Sequence, residues 1–495
     1  MTTDFRTADV LTDAGTGGLT KPGAAADGAG VPATATPIGP IRHSLDDNAE
    51  RAPVFALIVF LAVLPLEWIT LAGGTATEEG GGNIKPFHVA AAIFAILCFL
   101  RWRPRAMLAP VWNRHLGVYA AYFVVLAVGL AASFAFPDPY LMPILVLRQL
   151  SYSSASLFIA GFLVLIIGHS VQRWLAASGV IASGLLMLAF VYALASQGSN
   201  PITILGSAIS QGDPDIITFQ LLRTTFRTDD DLAEVAANLR HKVFIGLLIG
   251  VFFGLACMAI IDRKHRFIRG LLLVGSGVGF VLVLLSLSRS TTLCMAVPFM
   301  LYPLRVLVRN RAKPVEAVGM ILAVASGVAV LISPIGALLY ARFSATGSYT
   351  SRLTAAGPSF LEDFLPSALI GATKGDVEKS PHNFILNAWL GGGLVAGAAA
   401  TLMFFWMMYI WLREFRRYIF DVPGWVIPVG QIWFLGIGVI PLVRAFTAGN
   451  QFHMVEFTAI ALFLGLTLAN ERAAAAAKLP SATGGVPVPS RRPTT

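Results

Sequence analysis

Apolar runs of about 17 to 25 residues recur along the chain, each long enough to cross a hydrocarbon layer about 30 Å thick. Polar connections of very different length separate them, and the pattern predicts about twelve membrane-spanning helices and an all-α, polytopic fold. The predicted spans cover 53–71, 87–102, 115–136, 152–168, 174–195, 243–261, 271–287, a run descending to Arg305, 315–340, a run from Ser380 to Leu412, 425–442 and 454–468. Two connections are long, about 196–242 and 341–383, and carry short amphipathic stretches predicted to be surface helices. In the first of them Leu232, Val235, Ala236 and Leu239 recur at helical spacing behind Thr228 and three aspartates. Residues 1–50 are rich in Ala, Gly, Thr and Asp without an apolar run, and read as a disordered extension with no cleavable signal peptide. From Glu471 the chain turns Ala-rich and then Pro/Gly/Ser-rich, which reads as a disordered tail. The membrane domain is therefore expected to occupy 51–470.

Composition agrees with the pattern. Of 495 residues 56% are hydrophobic and 13% charged, and the mean hydropathy is +0.72, too apolar for a soluble globule. The net charge of +9 does not point to nucleic acid, because Lys and Arg cluster in short connections instead of a basic tail. Arg101, Arg103, Arg105 and Arg114, then Arg263, Lys264, Arg266 and Arg269, then Arg305, Arg309, Arg311 and Lys313, and finally Arg413, Arg416 and Arg417 mark one side as cytoplasmic. Both termini then fall inside and both long loops outside. The three cysteines, Cys98, Cys257 and Cys294, all lie within apolar runs, so neither a disulfide framework nor zinc-ligand spacing is present.

Against the inside bias, Glu67, Arg148, Arg289, Arg342, Arg444, Glu456 and His382 fall near outer ends of spans. A secondary transporter is expected to hold polar groups near the bilayer midplane, whereas an outer-face distribution suits an enzyme acting on membrane-anchored substrates. Arginines suit phosphate through charge-assisted, bidentate hydrogen bonds; the bland alternative is that such side chains only reach for headgroups. Asp213-Pro-Asp215 reads as a turn and Asp229 to Asp231 as a negatively charged helix start. No metal or cofactor is expected, a divalent ion at one of these aspartate groups being the minority alternative. In the stretch Ser380-Pro381-His382-Asn383, Ser380 is placed to cap a helix and Pro381 to open it. His382 would then lie in the first turn, where the helix dipole disfavours imidazolium and leaves the neutral ring a general base requires. An interfacial histidine above a helix packed through Gly393 and Gly397 is the competing reading.

His382-Asn383, nine residues, then Gly393 resembles the signature of the O-antigen ligase and O-antigen polymerase superfamily of bacterial membrane glycosyltransferases, with Ala396 standing where that signature has Gly, Thr or Tyr. Ser286 to Arg289 is similar to the family's Ser-x-Ser-Arg helix-end motif, and Arg342, Arg352-Leu353 and Leu369-Ile370-Gly371 are similar to the approach to its histidine. The resemblance covers about 221–412. It implies transfer of a glycan from an undecaprenyl-pyrophosphate carrier to a hydroxyl of a glycan or lipid A core acceptor, with no metal or other cofactor. The protein is then expected in the bacterial inner membrane, its site facing the periplasm, with a chain-length regulator or flippase of the same pathway as further partners. His382 becomes the general base and Arg289 the first diphosphate clamp, with Arg227, Arg240, Arg342, Arg352 and Asn383 as substrate-binding candidates. Polymerase, ligase and protein-glycosylating relative stay open. The rival classes are a transporter or flippase of lipid-linked saccharides and a non-catalytic scaffold.

Overall fold

The computed structural model describes residues 47–72, 84–135, 143–166, 174–196, 198–217, 220, 233–258, 261, 265–308, 314–344, 383–420, 431–447 and 452–478. The described residues are overwhelmingly helical, and their one extended pairing is an isolated bridge between Ala72 and Ile84. We label the helices α1 (Asp47–Val63), α2 (Pro86–Arg101), α3 (Pro104–Ala135), α4 (Pro143–Ile166), α5 (Ala177–Ser196), α6 (Pro201–Gln211), α7 (Ala233–Met258), α8 (Arg266–Leu285), α9 (Arg289–Val308), α10 (Pro314–Ile332), α11 (Pro334–Ser344), α12 (Phe384–Ile419), α13 (Gln431–Ala445) and α14 (Met454–Lys478). A single turn, Pro214–Ile216, follows α6.

Each predicted span falls on a helix. Seven helices are long and apolar enough to cross a membrane, and nine if each of two bent pairs counts as one crossing. The remaining three predicted spans match the shorter apolar segments Arg51–Val63, Gly117–Ala131 and Ile432–Ala445.

The bends have covalent causes. Between Pro86–Arg101 and Pro104–His115 the path turns by 109°, at the residues just before Pro104, where an α conformation is disfavoured. A second departure inside α3, at His115 (φ −120, ψ 22), starts the run Gly117–Ala131. Within the predicted span 315–340 the path turns by 72° at Ser333-Pro334. Ser333 accepts the amide of Gly336 at 3.2 Å, and Pro334 opens α11 without an N–H to leave unsatisfied.

The most enclosed helices are α7 and α14. On α7, Gly246, Gly250 and Gly254 form one small-residue ridge that brings backbones together. A Cβ on Gly254 would sit 2.9 Å from the Ala176 carbonyl oxygen, and one on Gly179 2.8 Å from that of Gly250. α7 also runs unbroken from Ala233, so the predicted surface helix around Leu232 to Leu239 and the predicted sixth span are one rod. α14 likewise passes Asn470, where a tail is predicted, and stays helical to Lys478. Glu471 there meets Arg413 at 2.6 Å and Arg114 at 3.4 Å, tying α14 to α12 and α3.

Candidate functional site

The helices gather their ionisable groups at their ends. At one set of ends Arg413 and Arg417 close on buried Glu414 at 2.9 and 2.8 Å, and the Arg305 guanidinium lies 4.5 Å from the centre of the Tyr418 ring. The other set, formed by the starts of α2, α4, α7, α9, α12 and α14 and the ends of α1, α11 and α13, holds nearly all the described candidates.

Arg289 opens α9 and is directed by the turn before it. Ser286 donates its hydroxyl to the Val283 carbonyl at 2.6 Å and accepts the Ser288 amide at 3.2 Å. Leu287 between them has φ 50, and among the described residues it is the non-glycine residue held in the left-handed region. A branched side chain there costs about 1–2 kcal/mol, which the burial of Leu287 against Leu338 and Leu339 offsets. Ser288 is tied to Thr291 at 2.8 Å and to His241 Nδ1 at 2.7 Å, which couples the start of α9 to α7. The Arg289 Nε–H donates to the Arg342 carbonyl at 2.9 Å, and Arg342 reaches Asp215 at 3.2 Å. Two arginines from separate parts of the sequence are thus joined, side chain to backbone carbonyl. Arg342 lies in the last turn of α11 and not in a loop; a cation there suits the helix dipole. Asp213 accepts the Asp215 amide at 2.8 Å, so this aspartate pair makes a turn, as read from sequence. Among the described residues no group of three His, Cys, Asp or Glu could hold a metal ion.

Asn383 is the N-cap of α12, accepting the amides of Ile385 at 2.9 Å and Leu386 at 3.2 Å. This corrects the capping expectation. The helix starts at Phe384, capped by Asn383 and not Ser380, so a first-turn dipole effect on His382 loses its basis. His382, Arg227 and Arg352 lie outside the described residues, and Arg240 is described in its helical backbone alone. Phe384 anchors the start of α12: its ring stacks on Phe452 at 4.3 Å and on Tyr122 at 6.1 Å. Tyr122 in turn donates to Gln149 at 2.7 Å. Behind Phe384 and Phe452 lies a narrow cleft between α12, α13 and α14, lined by apolar side chains such as Met403, Leu442 and Ile460.

Nine residues into α12 the glycine of the histidine signature does something the packing interpretation did not foresee. Gly393 has φ 63 and ψ −156, a conformation essentially closed to other residues, next to Gly392 at φ −140, ψ 17. It breaks the helix, so Gly393 and Gly397 do not lie on one continuous helical face.

A second polar cluster was visible in the sequence only as scattered charges. Glu67, after α1, meets Lys85 at 3.4 Å and Lys242 at 3.9 Å. Burial works to raise the Glu67 carboxyl, but Lys85 and Lys242 outweigh it and hold the group below its ordinary 4.5. His88 Nδ1 accepts the Lys85 amide at 3.1 Å, which leaves Nε2 as the protonated nitrogen facing the Tyr152 hydroxyl at 3.1 Å. Arg148 lies one turn before Tyr152 on α4 and acts on Glu67. Alongside, Arg444 and Glu456 form a buried pair at 2.7 Å, and the His453 amide donates to the other Glu456 oxygen at 2.8 Å. His453 is held well below its ordinary 6.5 by burial first and then by Lys242, Arg148, Arg444 and Lys85. Of this cluster the sequence pointed to Glu67, Arg148, Arg444 and Glu456 and missed Lys85, His88, Tyr152 and His453. The available signal was Lys85-Pro86, a cation beside a helix-opening proline, at an end opposite the basic loops.

These features define an all-α chain of multi-pass membrane type, with seven to nine candidate spans and its described candidate residues at one set of helix ends. Comparison with protein-family models and with the curated proteins gives no match to either.

Proposed function

We propose that the chain is a membrane glycosyltransferase of O-antigen ligase or polymerase type, moving a saccharide from an undecaprenyl-pyrophosphate carrier to a hydroxyl of a glycan or lipid A core. The observation that carries this reading is the junction of Arg289 with Arg342 at the helix ends where Asn383 caps α12. Two guanidinium groups there suit the negative charge that grows on a departing diphosphate. His382, immediately before the cap in sequence, takes the acceptor hydroxyl's proton as general base. The diphosphate is already a good leaving group, so no metal is required. Attack by the hydroxyl on the anomeric carbon breaks the bond to the carrier, whose diphosphate leaves with the electron pair, while the proton passes to the base. Arg227, Arg240 and Arg352 remain further contacts to donor or acceptor on this reading.

The same reading sets the orientation. Arg101, Arg103, Arg105, Arg114, Arg413, Arg416 and Arg417 lie at or beside the opposite helix ends and would face the cytoplasm of an inner membrane with twelve crossings, leaving the candidate site in the periplasm. Among the described residues the buried charged side chains Glu67, Glu414, Arg444 and Glu456 lie at or beside helix ends and buried His115 lies at the break inside α3, a distribution that favours an enzyme over a carrier with a midplane site. One feature favours the carrier: α12 is broken at Gly392-Gly393, and broken helices build transporter sites.

Purified protein in detergent, supplied with lipid-linked donor and acceptor, decides between them. Release of undecaprenyl pyrophosphate, lost in His382→Ala, is the expected result. Translocation of the lipid-linked saccharide in vesicles without a new glycosidic bond would overturn the enzyme.

A further inference from the structure

Arg342 uses little of what its guanidinium offers. Among the described residues its side chain meets one partner, the Asp215 carboxylate, through Nη1 to Oδ1 at 3.2 Å. Its Nε is buried and has no acceptor, and a buried guanidinium N–H left unpaired is costly. The backbone of the same residue is committed: it belongs to the last turn of α11, and its carbonyl accepts the Arg289 Nε–H at 2.9 Å. A fixed backbone therefore carries a guanidinium with one donor engaged and another waiting for an acceptor.

Asp215 is a carboxylate on an equally fixed mount. Asp213 accepts its amide at 2.8 Å, and Ile217, two residues on, packs with Ala208 of α6, Leu287, and Leu338 and Leu339 of α11 in a small apolar core separate from the main one. That core holds the turn against α11 and so delivers the carboxylate to Arg342. The two side chains are 26% (Arg342) and 49% (Asp215) exposed. An ion pair that open is weak and is traded readily for a better acceptor. A diphosphate is one: it carries more charge than a carboxylate and presents several oxygens to the planar guanidinium fork. The trade needs only a side-chain rotation at Asp215, since packing keeps both backbones in place. A mere brace would be redundant, because the apolar core already ties the turn to α11, and it would leave the Arg342 Nε unexplained.

We propose that Asp215 is an exchangeable counter-ion of the candidate site: it holds Arg342 between turnovers, yields it to the diphosphate of the lipid carrier, and takes it back as the spent diphosphate leaves. This deepens the glycosyltransferase reading and rests on Arg342 being a diphosphate contact. The carboxylate lowers the affinity of the site and in return speeds product release.

The test is isothermal titration of the full-length protein in detergent with inorganic pyrophosphate, which reads the contact without any transfer step. Wild type is expected to bind, Arg342→Gln to bind about tenfold more weakly, and Asp215→Asn about threefold to fivefold more tightly, the range an exposed ion pair supplies. Asp215→Glu, which keeps the charge, is expected to stay close to wild type. Unfolding temperatures check that each variant is folded, and Asp215→Ser repeats the neutral change at this half-exposed position. If Arg342→Gln weakens binding while both neutral variants of Asp215 bind no more tightly than wild type, the exchange is overturned and the diphosphate contact stands. If pyrophosphate binds none of these proteins, or binds wild type and Arg342→Gln alike, the contact itself fails and the exchange with it.

Discussion

Arg444→Met isolates the most enclosed charge in the described structure. Arg444 Nε donates to Glu456 Oε1 at 2.7 Å, and the two side chains are 4% and 0% exposed. Only the His453 amide, 2.8 Å from Oε2, is shown to share the carboxylate. Removing the guanidinium leaves a buried anion with one remaining hydrogen bond, a change that costs about 3–5 kcal/mol. Glu456→Gln alone strands the guanidinium and costs a similar amount. The double variant Arg444→Met/Glu456→Gln restores neutrality and keeps an acceptor for the His453 amide, so it is expected to cost no more than about 2 kcal/mol. Reversible unfolding in mixed micelles, run as a double-mutant cycle, measures the difference as a coupling between the sites. Single-variant costs below about 1 kcal/mol, or costs that simply add, would refute a closed, mutually dependent pair.

Further outcomes follow from the same geometry. Gly393→Ala is expected to destabilise the protein by about 1–3 kcal/mol through its backbone conformation alone, read in the same unfolding assay, whereas Gly184→Ala, at a site with open space around it, should be close to neutral. Because His453 is held below 6.5 when folded, the unfolded chain binds the extra proton, and stability falls as pH drops below 6.5 towards the folded value; His453→Gln should flatten that part of the pH–stability curve. Arg289→Ala is expected to lower transfer by about 10²–10³-fold, and Arg289→Lys to recover part of it, since a lysine keeps the charge but loses the planar Nε–H that engages the Arg342 carbonyl.

The helices were legible because apolar length is a local property, and each predicted span found one. Breaks were harder. Ser333-Pro334 and Ser380-Pro381 carry the same capping signal, yet the first bends a predicted single span and the second does not start α12, whose cap is Asn383. The dipeptide states that a helix can begin there; which chain end is free to turn is decided by packing elsewhere. Arg289 and Arg342 could be nominated singly from residue type and motif, but their union depends on a carbonyl at the end of α11 that no sequence pattern reports. Lys85 was overlooked for the opposite reason: it is ordinary alone, and only Glu67 brings it together with Lys242.

The uninterrupted course of α7 has a consequence for the residues at its head. Arg240 and His241 ride on the same rod whose Gly246, Gly250 and Gly254 are wedged against other backbones, so their bearing is set from deep inside the protein. Each residue advances an α-helix by about 100°, and the compass heading of that basic end is therefore locked to the glycine ridge five to fourteen positions below it.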